Sequence, residues 1–152
     1  MNLEQTCQSI LLVEDNPVDL DLTLRALAKR KLSNPIHVAR DGAEALSWIS
    51  RWESGEAWPA LFLLDLKLPK IDGLEVLRQL KAHPTLHAIP VVILTTSSEN
   101  FDMQKAYQLG ANSYIVKPVD FDKFREVAAH VELYWCVLNR PFCSIGDGAK
   151  SP

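Results

Sequence analysis

A chain of 152 residues, 47% hydrophobic and 23% charged, is long enough to bury the core of one ordinary domain. Its formal charge of -3 excludes the basic field that a nucleic-acid backbone requires, and three widely spaced cysteines, Cys7, Cys136 and Cys143, encode neither a disulfide framework nor a zinc site. The start MNLEQTCQSI lacks a signal-peptide pattern and no apolar run approaches the ~18 residues of a membrane span, so a cytoplasmic protein with no nucleic-acid or membrane partner is expected.

Ser9 to Val13 is the first strand, continuously apolar as in a parallel sheet covered on both faces. Asn16 caps the helix that follows, with Pro17 at its first position, Asp19 in its first turn, and Leu20, Leu24 and Leu27 along one face. Ile36 to Ala39 is a weaker strand. Asp41 and Glu44 then form a capping box ahead of Ala45, Leu46, Ile49 and Trp52, and residues 51–59, RWESGEAWP, read as a loop. Trp48, Trp52 and Trp58 are expected in core and loop packing. Ala60 to Leu64 is the next strand, and Asp72 with Glu75 repeats the capping device before Leu74, Leu77 and Leu80. Pro90 to Leu94 is a strand. Ser97 or Ser98 is expected to cap a helix carrying Met103, Ala106 and Tyr107 and closed by Gly110. Ser113 to Val116 is the last strand, and Asp120 opens the last helix, whose stripe of Phe124, Val127, Ala128, Val131, Trp135 and Leu138 is unusually long. Five strand-helix repeats with short connections imply an α/β fold, a five-stranded parallel sheet doubly wound by five helices.

In such sheets ligands bind beyond the carboxyl ends of the strands. Glu14 and Asp15 stand there after the first strand, Asp65 after the third, Thr95 after the fourth and Lys117 after the fifth. LFLLD places Asp65 after four apolar residues, where an unpaired charge is costly, so the strand either ends there or has a counter-charge beside it; both are expected, with Lys117 as the counter-charge. Three crowded carboxylates against one ammonium call for a hard divalent cation, and Mg²⁺ is the expected cofactor. The Thr hydroxyl and the Lys ammonium then suit the other oxygens of a phosphoryl group transferring to an Asp.

The runs ILLVEDN, LLDLKLPKIDG, VVILTTS and ANSYIVKPV resemble the receiver domain of two-component response regulators, with steps of 30 residues from Asp65 to Thr95 and 22 from Thr95 to Lys117. The resemblance covers residues 8–138 and implies a flavodoxin-like receiver fold, with residues 1–7 and 139–152 as tails. It implies Asp65 as phosphoacceptor, Glu14 and Asp15 as the acidic pair holding Mg²⁺, and Lys67 as donor of a backbone carbonyl to the metal. Thr95 and Tyr114 would be the switch residues, Lys117 the phosphate contact, and the Lys117–Pro118 bond cis. Lys67 departs from the short polar side chain common in the family. RDG-x-EAL, LDL-x-LPK-x-DG and IPVV-x-LTTS are similar more narrowly to the small regulators serving bacterial phytochromes. That likeness implies a histidine kinase with a light sensor as phosphodonor. The chain would catalyse only its own phosphorylation and dephosphorylation, and would not otherwise be an enzyme. Its long last helix, running on to Phe142, suggests a homodimer through the fourth helix, fifth strand and fifth helix with the C-terminal extension, although packing of that stretch on its own sheet is an equal alternative. A haloacid-dehalogenase-type hydrolase lacks its second acid, since Lys67 stands there. A flavin carrier would need a Gly-rich turn where EDNPVD lies. An unphosphorylated scaffold would not need the acidic pair.

Overall fold

The computed structural model describes residues 9–28 and 34–138. Along the chain run β1 (Ile10–Val13), α1 (Pro17–Ala28), β2 (Ile36–Ala39), α2 (Gly42–Glu53), β3 (Leu61–Leu64), α3 (Gly73–Ala82), β4 (Val91–Thr95), α4 (Asn100–Gln108), β5 (Ser113–Val116) and α5 (Phe121–Val131). A short 3-10 helix, Leu86–Ala88, precedes β4, and a π-helical stretch, Glu132–Leu138, continues α5. The expected tails, with Cys7, Phe142 and Cys143, lie outside the described residues. Every strand pair is parallel and the sheet order is β2-β1-β3-β4-β5, so the five-stranded doubly wound architecture is the one expected.

The apolar runs are continuous because both sheet faces are covered. Leu11, Val13, Phe62, Leu64, Val91 and Ile93 pack with Trp48 and Trp52 of α2 and Val76, Leu77 and Leu80 of α3. Ile10, Leu12, Leu61, Leu63 and Val92 point the other way, to Leu20 and Leu27 of α1 and Val131 of α5. β1, β3 and β4 are buried throughout, whereas the edge strands β2 and β5 are mostly half-buried. Trp58 packs partly buried against the first cluster, as the loop reading required. No helix among the described residues is long and apolar enough to cross a membrane.

Local signals place the helix starts. Asn16 Oδ1 accepts from the Val18 and Asp19 amides at 2.9 and 3.1 Å, Asp41 Oδ1 from Glu44 at 2.7 Å, Asp72 Oδ1 from Leu74 and Glu75 at 2.8 and 3.2 Å, and Asp120 Oδ1 from Lys123 at 3.1 Å. The reciprocal arm of the two capping boxes differs from expectation. Glu44 Oε2 accepts from the Arg40 amide at 3.2 Å, one residue earlier, while Glu75 turns outward to Arg78 and Gln79. The guanidinium and amide of those neighbours hold the Glu75 carboxyl down at about 2.

Neither Ser97 nor Ser98 caps α4. Glu99 occupies the cap without a side-chain bond, and the Ser97 hydroxyl, two residues before it, accepts from the Glu99 amide at 3.4 Å and donates to the buried Asp102. The far end of α4 follows expectation, because Gly110 takes φ 108° and the Ala111 and Gly110 amides donate to the Ala106 and Tyr107 carbonyls at 3.0 Å. Past Val131 the last helix winds more loosely, which keeps Trp135 partly buried against its own core while Leu133 and Tyr134 are exposed. Trp135 thus packs on its own sheet, while the stretch beyond residue 138 lies outside the described residues.

Gly73 opens α3 beneath the loop that follows β3. A Cβ there would overlap the Asp65 carbonyl oxygen and come within 2.5 Å of the Leu66 Cα, both of them backbone. Gly73→Ala is therefore expected to cost about 1–3 kcal/mol or more, in the manner of overpacking against atoms that cannot rotate away. Urea denaturation of the variant would measure it, and an unchanged midpoint would show that the loop yields freely.

Candidate phosphoacceptor and metal site

Parallel register brings the polar residues to one rim. Val13 pairs with Leu64, so Glu14 and Asp65 leave neighbouring strands side by side, with the Asp65 amide donating to the Val13 carbonyl at 3.1 Å. Thr95 pairs with Val116, and the Lys117 amide donates to the Thr95 carbonyl at 2.7 Å, which sets Lys117 beside the end of β4.

From there the Lys117 ammonium crosses the strand ends. It donates to Glu14 Oε2 in a very short contact, to Asp65 Oδ2 at 3.0 Å and to Asp19 Oδ2 at 3.0 Å. The Lys117 and Glu14 side chains are each 3% exposed and that of Asp65 is 7% exposed, so these charges meet almost without solvent. The counter-charge anticipated from LFLLD is in place.

One ammonium does not balance this many acids. Burial, reinforced by the Asp65 charge and opposed by the hydrogen bond from Lys117, pushes the Glu14 carboxyl up to about 7. Burial alone would lower the Lys117 ammonium, but the carboxylates of Glu14, Asp65 and Asp19 outweigh it and raise its pKa.

Carboxylate oxygens of Glu14, Asp15 and Asp65 lie within 4.8 Å of one another, with Asp15 exposed at the mouth. An all-oxygen donor set with surplus negative charge fits a hard divalent cation and suits neither zinc nor copper. The Lys67 amide donates to Asp65 Oδ1 at 3.2 Å, so the segment expected to offer a carbonyl to the metal runs beside the acid. A cavity of about 360 Å³ adjoins the acids, lined by Asp15, Leu66, Lys67, Leu68, Pro69, Asp72, Leu74 and Asp102.

Thr95 is fully buried, and its Oγ1 accepts from the Ser97 amide at 3.4 Å. Tyr114 is half-buried on β5, its hydroxyl donating to the Ser97 carbonyl at 2.9 Å, and burial raises its pKa. Both side chains thus reach the same loop. The expected cis Lys117–Pro118 bond is corrected: no cis peptide occurs among the described residues, and trans is the form an X–Pro bond favours by about 0.5–1 kcal/mol. Asp19 escaped the sequence reading as a site residue. The available signal was its place in the first turn of the helix that begins just after Glu14 and Asp15, which keeps it near the same strand end.

A family model described as the response regulator receiver domain matches residues 10–129. Among curated relatives, the probable methanogenesis regulatory protein FilR2 of Methanothrix harundinacea is 42% identical over 132 residues, which is 86% of this chain and 85% of that protein. Response regulator Rcp1 of Synechocystis is 37% identical over 128 residues, 83% of this chain and 87% of that protein. Among solved structures, the phosphorylated cyanobacterial phytochrome response regulator RcpA superposes with a TM-score of 0.84 at 36% identity, covering 90% of this chain and 99% of that one. The Mn²⁺-bound form of Rcp1 gives 0.82 at 34% identity, covering 88% and 98%. The bacteriophytochrome response regulator AtBRR gives 0.67 at 48% identity, covering 88% and 99%. The match reaches from β1 into α5 and so takes in every strand end that carries the acidic rim: the chain belongs to the response regulator receiver domain family.

Proposed function

We propose that this chain is a cytoplasmic phosphoacceptor switch that takes a phosphoryl group onto Asp65 from a histidine kinase, specifically a phytochrome. The observation that carries the reading is the Lys117 ammonium held on Asp65 and Glu14, with Asp15 completing the acidic set. In the transfer, an Asp65 carboxylate oxygen forms the O–P bond as the N–P bond of the donor phosphohistidine breaks, and the departing imidazole keeps the electron pair and takes up a proton. Lys117 neutralises charge on Asp65 and on the incoming oxygens. Glu14, Asp15 and Asp65, with the Lys67 carbonyl, would hold Mg²⁺, whose chemistry there is to neutralise the phosphoryl oxygens. The chain catalyses its own modification and, by hydrolysis of the acyl phosphate, its own reset. Phytochrome as donor is supported by the likeness to RcpA and AtBRR.

The added phosphoryl carries about 1.5 to 2 negative charges, and the Thr95 hydroxyl moves to bond it. Tyr114, tied to the Ser97 carbonyl, follows that loop, so the signal reaches α4, β5 and α5. Exposed Phe101, Tyr107, Val116, Leu133 and Tyr134 give this face the apolar area for a homodimer together with the C-terminal extension. Thr95→Ala is expected to accept phosphate yet lose a charged hydrogen bond of about 1.5–3 kcal/mol, a large part of the roughly 5 kcal/mol a full switch needs. Sedimentation should then show a phosphorylation-driven dimer for the native chain and a much smaller shift for the variant; equal shifts would remove Thr95 from the switch.

Incubation with acetyl phosphate and Mg²⁺ tests the central reading. A mass gain of one phosphoryl group, absent in Asp65→Asn, is expected, and no gain in the native chain overturns it. Phosphotransfer from a panel of histidine kinases tests the partner, a slow transfer from phytochromes relative to others counting against it.

A further inference from the structure

Asp102 is a buried acid that the phosphorylation chemistry above does not use. It lies in the first turn of α4, where Asp102 and Ala106 are the buried residues, and its side chain is only 10% exposed. Its Oδ2 accepts from Ser97 Oγ at 2.6 Å and sits 3.6 Å from the Lys67 ammonium. Each of those partners belongs to a loop flanking the phosphoacceptor. Lys67 follows Asp65 and its amide bonds the Asp65 carboxylate, while Ser97 follows Thr95, bonds the Thr95 hydroxyl through its amide and receives the Tyr114 hydroxyl on its carbonyl. A single carboxylate on α4 therefore ties down both loops beside the cavity that it lines with Asp15.

We propose that Asp102 is a positioning residue that holds the Lys67 ammonium back from Asp65 in the unmodified chain and gives it up to the phosphoryl group after transfer. The inference rests on Asp65 being the phosphoacceptor. The Lys67 side chain is 65% exposed, so its stem is free to swing across the cavity mouth. A phosphoryl group of about 1.5 to 2 negative charges outcompetes a single carboxylate for that ammonium. Asp102 is then a buried anion bonded to the Ser97 hydroxyl but without its cation, and burial of such a charge is costly, so the first turn of α4 opens toward water. The same event that recruits Lys67 releases the helix.

Linkage makes the coupling reciprocal: if the phosphoryl group must break the Lys67–Asp102 pair, breaking the pair beforehand tightens binding of a phosphoryl mimic. Asp102→Asn keeps an acceptor for Ser97 and removes only the charge. Titration with beryllofluoride in Mg²⁺ should give binding roughly two- to fivefold tighter than native, the span that an ion pair of this exposure supports. Amide resonances of residues 100–103 in the free variant should move toward their positions in the beryllofluoride-bound native chain. Lys67→Gln should move the same amides without tightening binding, because it has no ammonium to deliver; a purely structural role would not separate the two variants this way. If Asp102→Asn does not fold, the Lys67→Gln amides decide alone. Native protein that fails to bind beryllofluoride overturns the phosphoacceptor reading itself. Native binding with an equal or weaker Asp102→Asn, or unmoved amides, overturns the role of Asp102 and leaves Asp65 untouched.

Discussion

Asp65→Asn is expected to abolish phosphorylation and, in the same protein, to raise the unfolding midpoint measured without metal. The two effects have one origin. Asp65 sits 7% exposed beside Glu14, and both share one ammonium with Asp19. Its charge is one of the influences that lift the Glu14 carboxyl toward about 7, so neutralising it relieves Glu14 as well. The Asn carbonyl still accepts from Lys117 in place of Oδ2, while the longer bond from the Lys67 amide to Oδ1, at 3.2 Å, is given up, a smaller loss than the repulsion removed. A gain of about 1–2 kcal/mol is expected, and at 2–4 °C per kcal/mol for a domain of this size it is visible in a thermal scan in EDTA. An acid kept where it weakens the fold is kept for its chemistry. A lower midpoint for the variant would mean that Lys117 has already overcompensated the acids.

Lys117→Met should act in the opposite direction and more strongly. Met matches the stem but strands Glu14 and Asp65 in a nearly dry site, and breaking a buried pair from one side costs about 3–5 kcal/mol. The deficit depends on pH. In the native chain Glu14 titrates at about 7 against an ordinary 4.5, so its folded form holds the proton more tightly than the unfolded chain does. Its contribution is full below about 4.5 and disappears as pH rises through about 7. Without Lys117 the group that lowers the Glu14 pKa is gone, and the loss extends to higher pH. Urea titrations in EDTA between pH 4.5 and 8.5 should show the variant nearest to native at the acid end and furthest from it at the alkaline end. Asp41 and Glu75 are held below the usual carboxylate range and bias the curve the other way at acid pH, so the comparison is made against Glu14→Gln. A deficit that is flat with pH would remove Glu14 from the account.

Strands and helix starts were legible because their causes are local. Four apolar runs mark strands within a residue of their observed ends, three of them buried and β5 only half-buried at the sheet edge, and Asn16, Asp41, Asp72 and Asp120 each cap the helix they precede. Glu14, Asp15, Asp65 and Lys117 were legible for a tertiary reason that the chain nevertheless spells out, since a parallel sheet sends every strand's carboxyl end to one rim. Asp19 and Asp102 were not. Each stands in the first turn of a helix, where an acid already has a sufficient local explanation in the helix dipole, and that explanation hides the contacts made across the fold. Ser97 failed as a cap because α4 starts later, at Asn100, so that its hydroxyl accepts from the Glu99 amide ahead of the helix at 3.4 Å and donates its proton across to the buried Asp102. The isomer of Lys117–Pro118 turns on about 0.5–1 kcal/mol and has no pattern to read. The π winding after Val131 preserves an apolar stripe that a 3.6 period also predicts, so the stripe alone could not distinguish them.

The strand order carries a consequence for biosynthesis. The acids arrive on the first and third strands to be made, whereas the lysine that reconciles them lies on the fifth and emerges from the ribosome only after some fifty further residues. Without β5 the acids at the ends of β1 and β3 would have no lysine beside them, and the closing strand brings the cation that relieves their repulsion. If Asp65 takes the phosphoryl group as proposed, a chain that stops before β5 would lack Lys117 and is expected not to accept it.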